Sequence, residues 1–412
     1  MTGRAGLLGA LGERQFRLLW IGQTASAAGD ALIPVAIAFA VLGIGGTAAD
    51  LGIVFSAFTV AHVALVLAGG VWADRLPRQL VMVACDIVRF IGEIVLAALL
   101  ITDTAQIWHL AVGAAVIGAA SAFFLPASSG LVPQTVSPGR LQQANALMSV
   151  SRSATGIFGP PISGLLIVAA GTGFVFLADA ATFVVSAISL LMLRLPPTEA
   201  RPSEQHFFAD LADGWREVVA RRWILAAICT FAITNMVTST FFILGPIVAD
   251  AKLGGAAAWG FILTGGGIGG LIGSLLALRV RPRRPLLVGF LVSTSMSLPL
   301  FALVWPLPIP LIAVGALFSF ASVQIFNTWW FTLLQQHVPE QARSRVSSYD
   351  YLVSLVFQPL GYMLAGPFSL LIGLPATLIW AGGITLAGNF AVLLVRDVRE
   401  VRWVEDAAGG AG

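Results

Sequence analysis

Charge is scarce in this 412-residue chain. Asp, Glu, Lys and Arg make up 10% of it, against about 25% in a soluble globular domain. With 58% hydrophobic residues and a mean hydropathy of +0.90, too little polar surface remains to cover a protein of this size in water. That excludes a soluble enzyme, a disordered chain and a nucleic-acid binder, the last despite a formal net charge of +3. Lysine is nearly absent. Lys252 stands alone and leucine follows it, so no Gly-Lys-Ser/Thr phosphate-binding loop exists and ATP hydrolysis by that route is excluded. The two cysteines, Cys85 and Cys229, both sit in apolar runs and give neither a disulfide framework nor a metal pattern. His62, His109, His206 and His337 are too scattered to form a ligand cluster, so no metal and no cofactor is expected. Gly265, Gly267 and Gly270 match the dinucleotide fingerprint by letter, but inside an apolar run with no strand before them. Gly265, Gly269 and Gly273, four apart, read instead as a close-packing helix face.

What is present is a series of long apolar runs. A membrane helix needs about 20 mostly apolar residues. Twelve such runs occur, near 17–42, 51–72, 79–101, 107–129, 141–168 and 173–193, then 223–249, 257–279, 286–305, 311–336, 345–371 and 374–396. Thr24–Ala27 has the small residues of a cleavage site, but the apolar run continues past it, which predicts a retained helix rather than a signal peptide. Of the 23 Lys and Arg residues, 20 fall in loops on the side of the N-terminus, one (Lys252) on the other side, and two (Arg89 and Arg152) within runs. This bias places both termini in the cytoplasm of a multi-pass inner-membrane protein and fits an even number of spans.

The expected fold is therefore an all-α membrane protein of twelve transmembrane helices in two six-helix bundles. The bundles would cover 1–194 and 223–397, joined by a cytoplasmic linker over 195–222 and followed by a tail over 398–412. Within the linker, Phe207, Phe208, Leu211, Trp215, Val218 and Val219 share one helical face, the pattern of an amphipathic helix at the interface. The alternative is a partly ordered connection. Val132-Pro133 with Arg140, and Val338-Pro339 with Arg345, hint at a repeat, and two six-helix halves are the pattern of parallel-repeat transporters.

The loop after the second run reads Gly69-Gly70-Val71-Trp72-Ala73-Asp74-Arg75-Leu76-Pro77-Arg78-Gln79. Here the chain resembles the major facilitator superfamily: Gly70, Asp74, Arg75 and Arg78 match that family's gating signature. Pro77 replaces its usual glycine and Gln79 its second base. The fifth run carries Gly156, Gly159, Pro160, Ser163 and Gly164, resembling the element of the antiporter branch, with Ser163 in place of a glycine. The stretches Trp20–Pro34, Phe124–Leu147 and Val338–Gly366 are similar to the enterobactin-exporter-like branch of drug and siderophore efflux permeases. That resemblance implies a cavity lined by the first, fourth, seventh and tenth helices. Its candidate lining is Gln23, Phe123, Phe124, Asn235, Phe242, Gln324, Asn327 and Trp330, beside Asp30; the alternative for each aromatic is packing or lipid contact.

Ionisable residues also lie inside the runs. At about 1.5 Å per residue from the flanking inner arginines, Asp30, Arg89, Glu93, Arg152 and Asp179 fall roughly 16–22 Å deep in a hydrocarbon slab about 30 Å thick. Charges at such depth are costly unless paired and mark functional sites. Asp86, Arg89 and Glu93 are spaced to neutralise one another along one helix, with Asp179 completing the set. Asp30 has no counter-ion on its own helix, and Arg152, at matching depth, is its expected partner. The proton-coupling candidates are thus Asp30, Arg152, Glu93 and Asp179.

These residues point to a secondary active exporter. A small lipophilic or amphipathic compound (a drug, siderophore or secondary metabolite) would leave as protons enter, with the lipid bilayer as solvent and no ATP or nucleic acid as partner. A monomer is the expected state. Proton-coupled uptake is the nearer alternative, and a non-transporting scaffold or sensor the more distant one.

Overall fold

The computed structural model describes residues 9–195, 215–305 and 307–404, where helices joined by short turns are the regular structure, with no strand among them. The side chains of 67–75, 340, 341, 344, 345, 348 and 351 lie outside the described set. Among the described residues, eleven helical spans are long and apolar enough to cross a membrane. A further helix, Arg78–Ile101, has the length at 24 residues. It is set apart by Asp86, Arg89 and Glu93 in its middle. The apolar side chains point outward as well as inward: Leu370 is 82% and Leu394 81% exposed. Contiguous apolar surface of that kind suits lipid, not water. The protein is a multi-pass membrane protein.

Contacts divide the chain into two units, 1–203 with Gly254–Gly260, and 204–253 with 261–412. In the first unit the opening span is two helices, α1 (Arg14–Asp30) and α2 (Ile33–Gly43). Pro34 has no N–H to donate to the carbonyl four residues back, so the helix breaks just after Asp30. Thr47 and Asp50 cap the next helix, α3 (Ala48–Arg75), each side chain meeting the other's end of the first turn. α4 (Arg78–Ile101) follows Pro77, and α5 (Ile107–Thr135) opens on a capping box between Gln106 and His109. α6 (Leu141–Ala170) and α7 (Thr172–Leu191) are joined by the single residue Gly171, whose φ of 90° suits a residue without Cβ. α3 packs on α5, α4 on α5 and α7, and α1 on α7 and α6.

The second unit repeats the plan. It runs through α8 (Arg222–Thr238), α9 (Thr240–Val248), α10 (Ala256–Arg279, whose first turn to Gly260 groups with the first unit), α11 (Pro285–Ser293), α12 (Leu298–Val304), α13 (Ile309–His337), α14 (Glu340–Val356), α15 (Gln358–Ile372) and α16 (Leu374–Ala391). Both α5 and α13 are 29 residues long. Gly373, with φ 87°, joins α15 to α16 as Gly171 joins α6 to α7. The glycine face of α10 packs as expected: Gly265, Gly269 and Gly273 lie against the backbone of Ala313, Leu317 and Ala321 on α13, where a Cβ would collide with a carbonyl oxygen at each.

Of the expected linker helix, residues 215–220 are described and helical; Phe207, Phe208 and Leu211 lie outside the described residues. Val218 is fully buried and Trp215 packs on Tyr349 at 5.5 Å, so this part is docked on the second unit. The chain beyond α16 is docked too. Arg396–Glu400 forms a short helix, α17. Val398 and Trp403 are buried, and Trp403 donates to the Pro282 carbonyl at 2.8 Å. The expected tail from 398 is thus packed as far as Trp403.

Candidate functional site

The site grows from the break in the first span. Asp30 is the last residue of α1, and its side chain is 48% exposed. The cation facing it is Arg89 of α4, with Nη1 3.7 Å from Asp30 Oδ2. That is ion-pair range but longer than a direct hydrogen bond. The Arg89 side chain is 5% exposed. It donates through Nη2 to Ser121 Oγ of α5 at 2.6 Å. Its guanidinium carbon lies 4.7 Å from the ring centroid of Phe124 and 5.4 Å from that of Phe183. Two aromatic faces and one hydroxyl hold a desolvated guanidinium in place, a geometry that suits arginine's planar, weakly hydrated head.

Arg152 is not the partner of Asp30. It is exposed and makes no ion pair among the described residues. Equal depth along two helices says nothing about the direction each side chain faces, and the azimuth of α4 favours Arg89. Nor is Arg89 spent on its own helix: it reaches across to α1 and α5. Asp86 lies beside Ser186 of α7. Glu93 is fully buried, and neither of its carboxyl oxygens accepts a hydrogen bond. Asp179, 1% exposed, accepts from Thr182 at 3.2 Å through Oδ1, while Oδ2 has no donor. Asp30, Asp86, Glu93 and Asp179 thus surround one guanidinium in the interior of the first unit.

Small residues make this assembly possible. Gly22, Ser26 and Gly29 are buried on one face of α1. A Cβ on Gly29 would run into Asp179 Oδ1 and Thr182 Oγ1, and one on Gly22 would press on Ser186 and Ser189. Gly159 meets Ala31, at the break itself. Ser163, where the family has glycine, donates to the Leu32 carbonyl at 2.7 Å and so ties α6 to the break. Gly164 lies against Ala256 within the same unit, Pro160 is buried, and Gly156 faces open space.

The gating signature is described in part. The packing around Gly70 and the side chains of Asp74 and Arg75 lie outside the described set. Arg78 donates to the Gly130 carbonyl of α5 at 2.8 Å, lying where a Cβ on Gly130 would be. Gln79 donates to the carbonyls of Leu190 and Leu193 at 2.7 and 3.2 Å, satisfying acceptors left open at the end of α7.

The cavity candidates separate by burial. Gln23 is half-buried and accepts from Ser128 at 3.0 Å. Phe123 is half-buried, whereas Phe124 is packed beneath Arg89 and 8% exposed. In the second unit Gln324 and Asn327 are exposed, and Phe242 is half-buried against Phe320. Asn235 donates to the Ser354 carbonyl at 2.9 Å. Trp330 is a core residue rather than a cavity wall: it is 1% exposed, packs on Trp223 and Phe231, and donates to Asp350 at 3.0 Å. An open apolar depression of about 650 Å³, lined by Ile44, Ile53, Gln106, Trp108 and Val112 among others, includes none of these residues.

Residues 19–356 match the family model described as Major Facilitator Superfamily. Over 398 residues the chain is 26% identical to the multidrug efflux pump Tap of Mycolicibacterium fortuitum, covering 92% of this chain and 95% of that one. Over 394 residues it is 19% identical to macrolide efflux protein A of Streptococcus pyogenes, covering 94% and 97%. Among solved structures, a nucleoside transporter superposes with a TM-score of 0.73 at 14% identity, covering 92% of this chain and 98% of that one. A bacterial homologue of the iron transporter ferroportin in an inward-facing state gives 0.71 at 17% identity, covering 91% and 98%.

Proposed function

The chain belongs to the Major Facilitator Superfamily, and on that premise we propose that this transporter exports a lipophilic or amphipathic drug-like compound in exchange for protons. It is a transporter of small molecules and not an enzyme. The direction of transport, the coupling ion and a cytoplasmic location for both termini are parts of the proposal. Efflux is supported by relatives that match over almost the whole chain and are themselves multidrug and macrolide efflux proteins.

The observation that carries proton coupling is the half-exposed Asp30 at a helix break, facing a buried guanidinium without bonding to it. For Asp30, holding a proton and pairing with Arg89 are mutually exclusive. A conformational change that separates the two exchanges one state for the other, and a substrate arriving beside Asp30 does the same. Each tenfold change in proton affinity between the two states corresponds to about 1.4 kcal/mol of drive. Broken helices near the membrane midplane commonly place such sites in transporters.

The test is Asp30→Asn in proteoliposomes, with ethidium and a macrolide as probes. A pH gradient should no longer drive uphill export, while downhill exchange persists. Uphill pumping at the wild-type rate and with wild-type pH dependence would sink the assignment to Asp30.

A further inference from the structure

Unmet hydrogen-bonding capacity is concentrated in one place. Twelve buried side-chain nitrogen or oxygen atoms among the described residues have no hydrogen-bond partner, and ten of them lie on α1, α4 and α7 of the first unit. Native interiors normally satisfy nine in ten or more of such groups, so a cluster of exceptions calls for a physical reason. Glu93 holds two of these atoms and Asp179 one. Both residues are buried, on helices packed against each other, and the two carboxyls feel each other electrostatically.

We propose that Glu93 and Asp179 form a second proton-binding site, enclosed within the first unit and distinct from the exposed Asp30. The groups facing it are Asp30 from α1, and Arg89, one turn earlier on α4. α5 contributes Ser121 and Phe124, and its lone titratable residue, His109, caps its first turn. His62 of α3 turns to the Gly118 carbonyl. The one cation in reach spends Nη2 on Ser121 and faces Asp30 at 3.7 Å, and neither of its other nitrogens, Nε and Nη1, bonds Glu93 or Asp179. Two further carboxylate charges in a membrane interior would each cost several kcal/mol. A bound proton removes such a charge, and it supplies the O–H donor that the neighbouring oxygens lack. Because the carboxyls interact, the protons belong to the pair rather than to either residue.

The site is connected to the first one by a single peptide step. Gly29 rests on Asp179, and the next residue, Asp30, faces Arg89. A shift of α1 along α7 therefore disturbs both acids together. This inference deepens the proton-coupled reading, and its test is independent of transport.

Glu93 is the only glutamate inside the expected membrane spans; the other seven lie in terminal or loop segments. Glutamate carrying carbon-13 at its side-chain carboxyl, incorporated by cell-free synthesis, thus isolates Glu93 in the infrared spectrum of unmutated protein in lipid nanodiscs. The expected result is a labelled carboxylic-acid C=O band at neutral pH. It should shift in Asp179→Asn and persist in Asp30→Asn. Labelled absorption confined to the ionised-carboxylate region at neutral pH overturns the proposal. A retained acid band beside undiminished pumping by Asp30→Asn would instead count against Asp30 as the coupling acid and leave this site standing.

Discussion

Arg89 organises the candidate site through three different contacts, and they can be separated by substitution. Arg89→Lys keeps the charge but loses the flat face against Phe124 and Phe183 and the fork that reaches Ser121 and Asp30. Cation–π contacts of this kind are worth about 0.5–2 kcal/mol each. Thermal unfolding in detergent should therefore show Arg89→Lys less stable than wild type, while conversion of the exposed Arg152 to lysine is neutral. A second residue-scale prediction lies outside the membrane. Glu13 accepts from the Ser137 backbone and hydroxyl and faces Arg140 at 3.4 Å. The Ser137 hydrogen bonds and then Arg140 hold its carboxyl below the usual glutamate range. With a folded-state value below the unfolded one, this clip is present above the unfolded value and is lost as pH falls through the folded one. Protection against hydrogen exchange in residues 9–13, measured relative to the intrinsic rate at each pH, should fall in acid, and Glu13→Gln should remove that dependence.

At the scale of elements, glycine position decides whether a side chain is tolerated. A methyl group on Gly269 collides with the Leu317 carbonyl, whereas on neighbouring Gly270 it would meet Gln324 at an ordinary 3.7 Å. Gly269→Ala should lower stability by roughly 1–3 kcal/mol. Gly270→Ala should be neutral or raise it by up to about 1 kcal/mol through helix propensity. Thermal unfolding of the two variants side by side checks the pair. This close-packing face was legible in the sequence because four-residue spacing maps directly onto one side of a helix. The breaks were not: 17–42 reads as one apolar run, yet Pro34 divides it, and Phe357 and the 3₁₀ turn Thr294–Ser297 divide two others. Hydropathy averages over a window and is blind to a single missing donor. The acids Asp30, Glu93 and Asp179 were likewise visible as charges at depth. Their partner was not, because spacing along an axis carries no information about rotation around it.

Across the whole molecule the two units share a plan but not an interior. The second unit is built on an aromatic cluster of Trp223, Phe231, Phe290, Phe326 and Trp330, with Asp350 as its buried acid. The first surrounds one arginine with four acids. The residues expected to gate from the family resemblance lie in the first unit, and Asp74→Asn should depress dye efflux from energised cells while the protein still reaches the membrane at wild-type levels. Normal efflux by a well-expressed Asp74→Asn protein would remove the residue from the gating role. A protonophore should abolish efflux by the wild type.

The polar middle of α4 also bears on how the chain is made. Placing Asp86, Arg89 and Glu93 at the centre of a lone helix in lipid costs roughly 2.5–3.5 kcal/mol for each. The groups that shelter them lie on α1, α5 and α7. During synthesis α1 is already in place when α4 emerges, but Asp179, Phe183 and Ser186 do not yet exist. α4 is therefore expected to wait beside the insertion machinery until α7 arrives. Cys85, on α4 and 6% exposed in the folded chain, reports on this directly. In a chain ending at Ile101 it should react with a water-borne maleimide, and in one ending at Leu195 it should be protected. Among the described residues eleven other spans can enter the bilayer on their own apolarity, and this one enters only in company; its topology is settled after translation has moved about 90 residues beyond it.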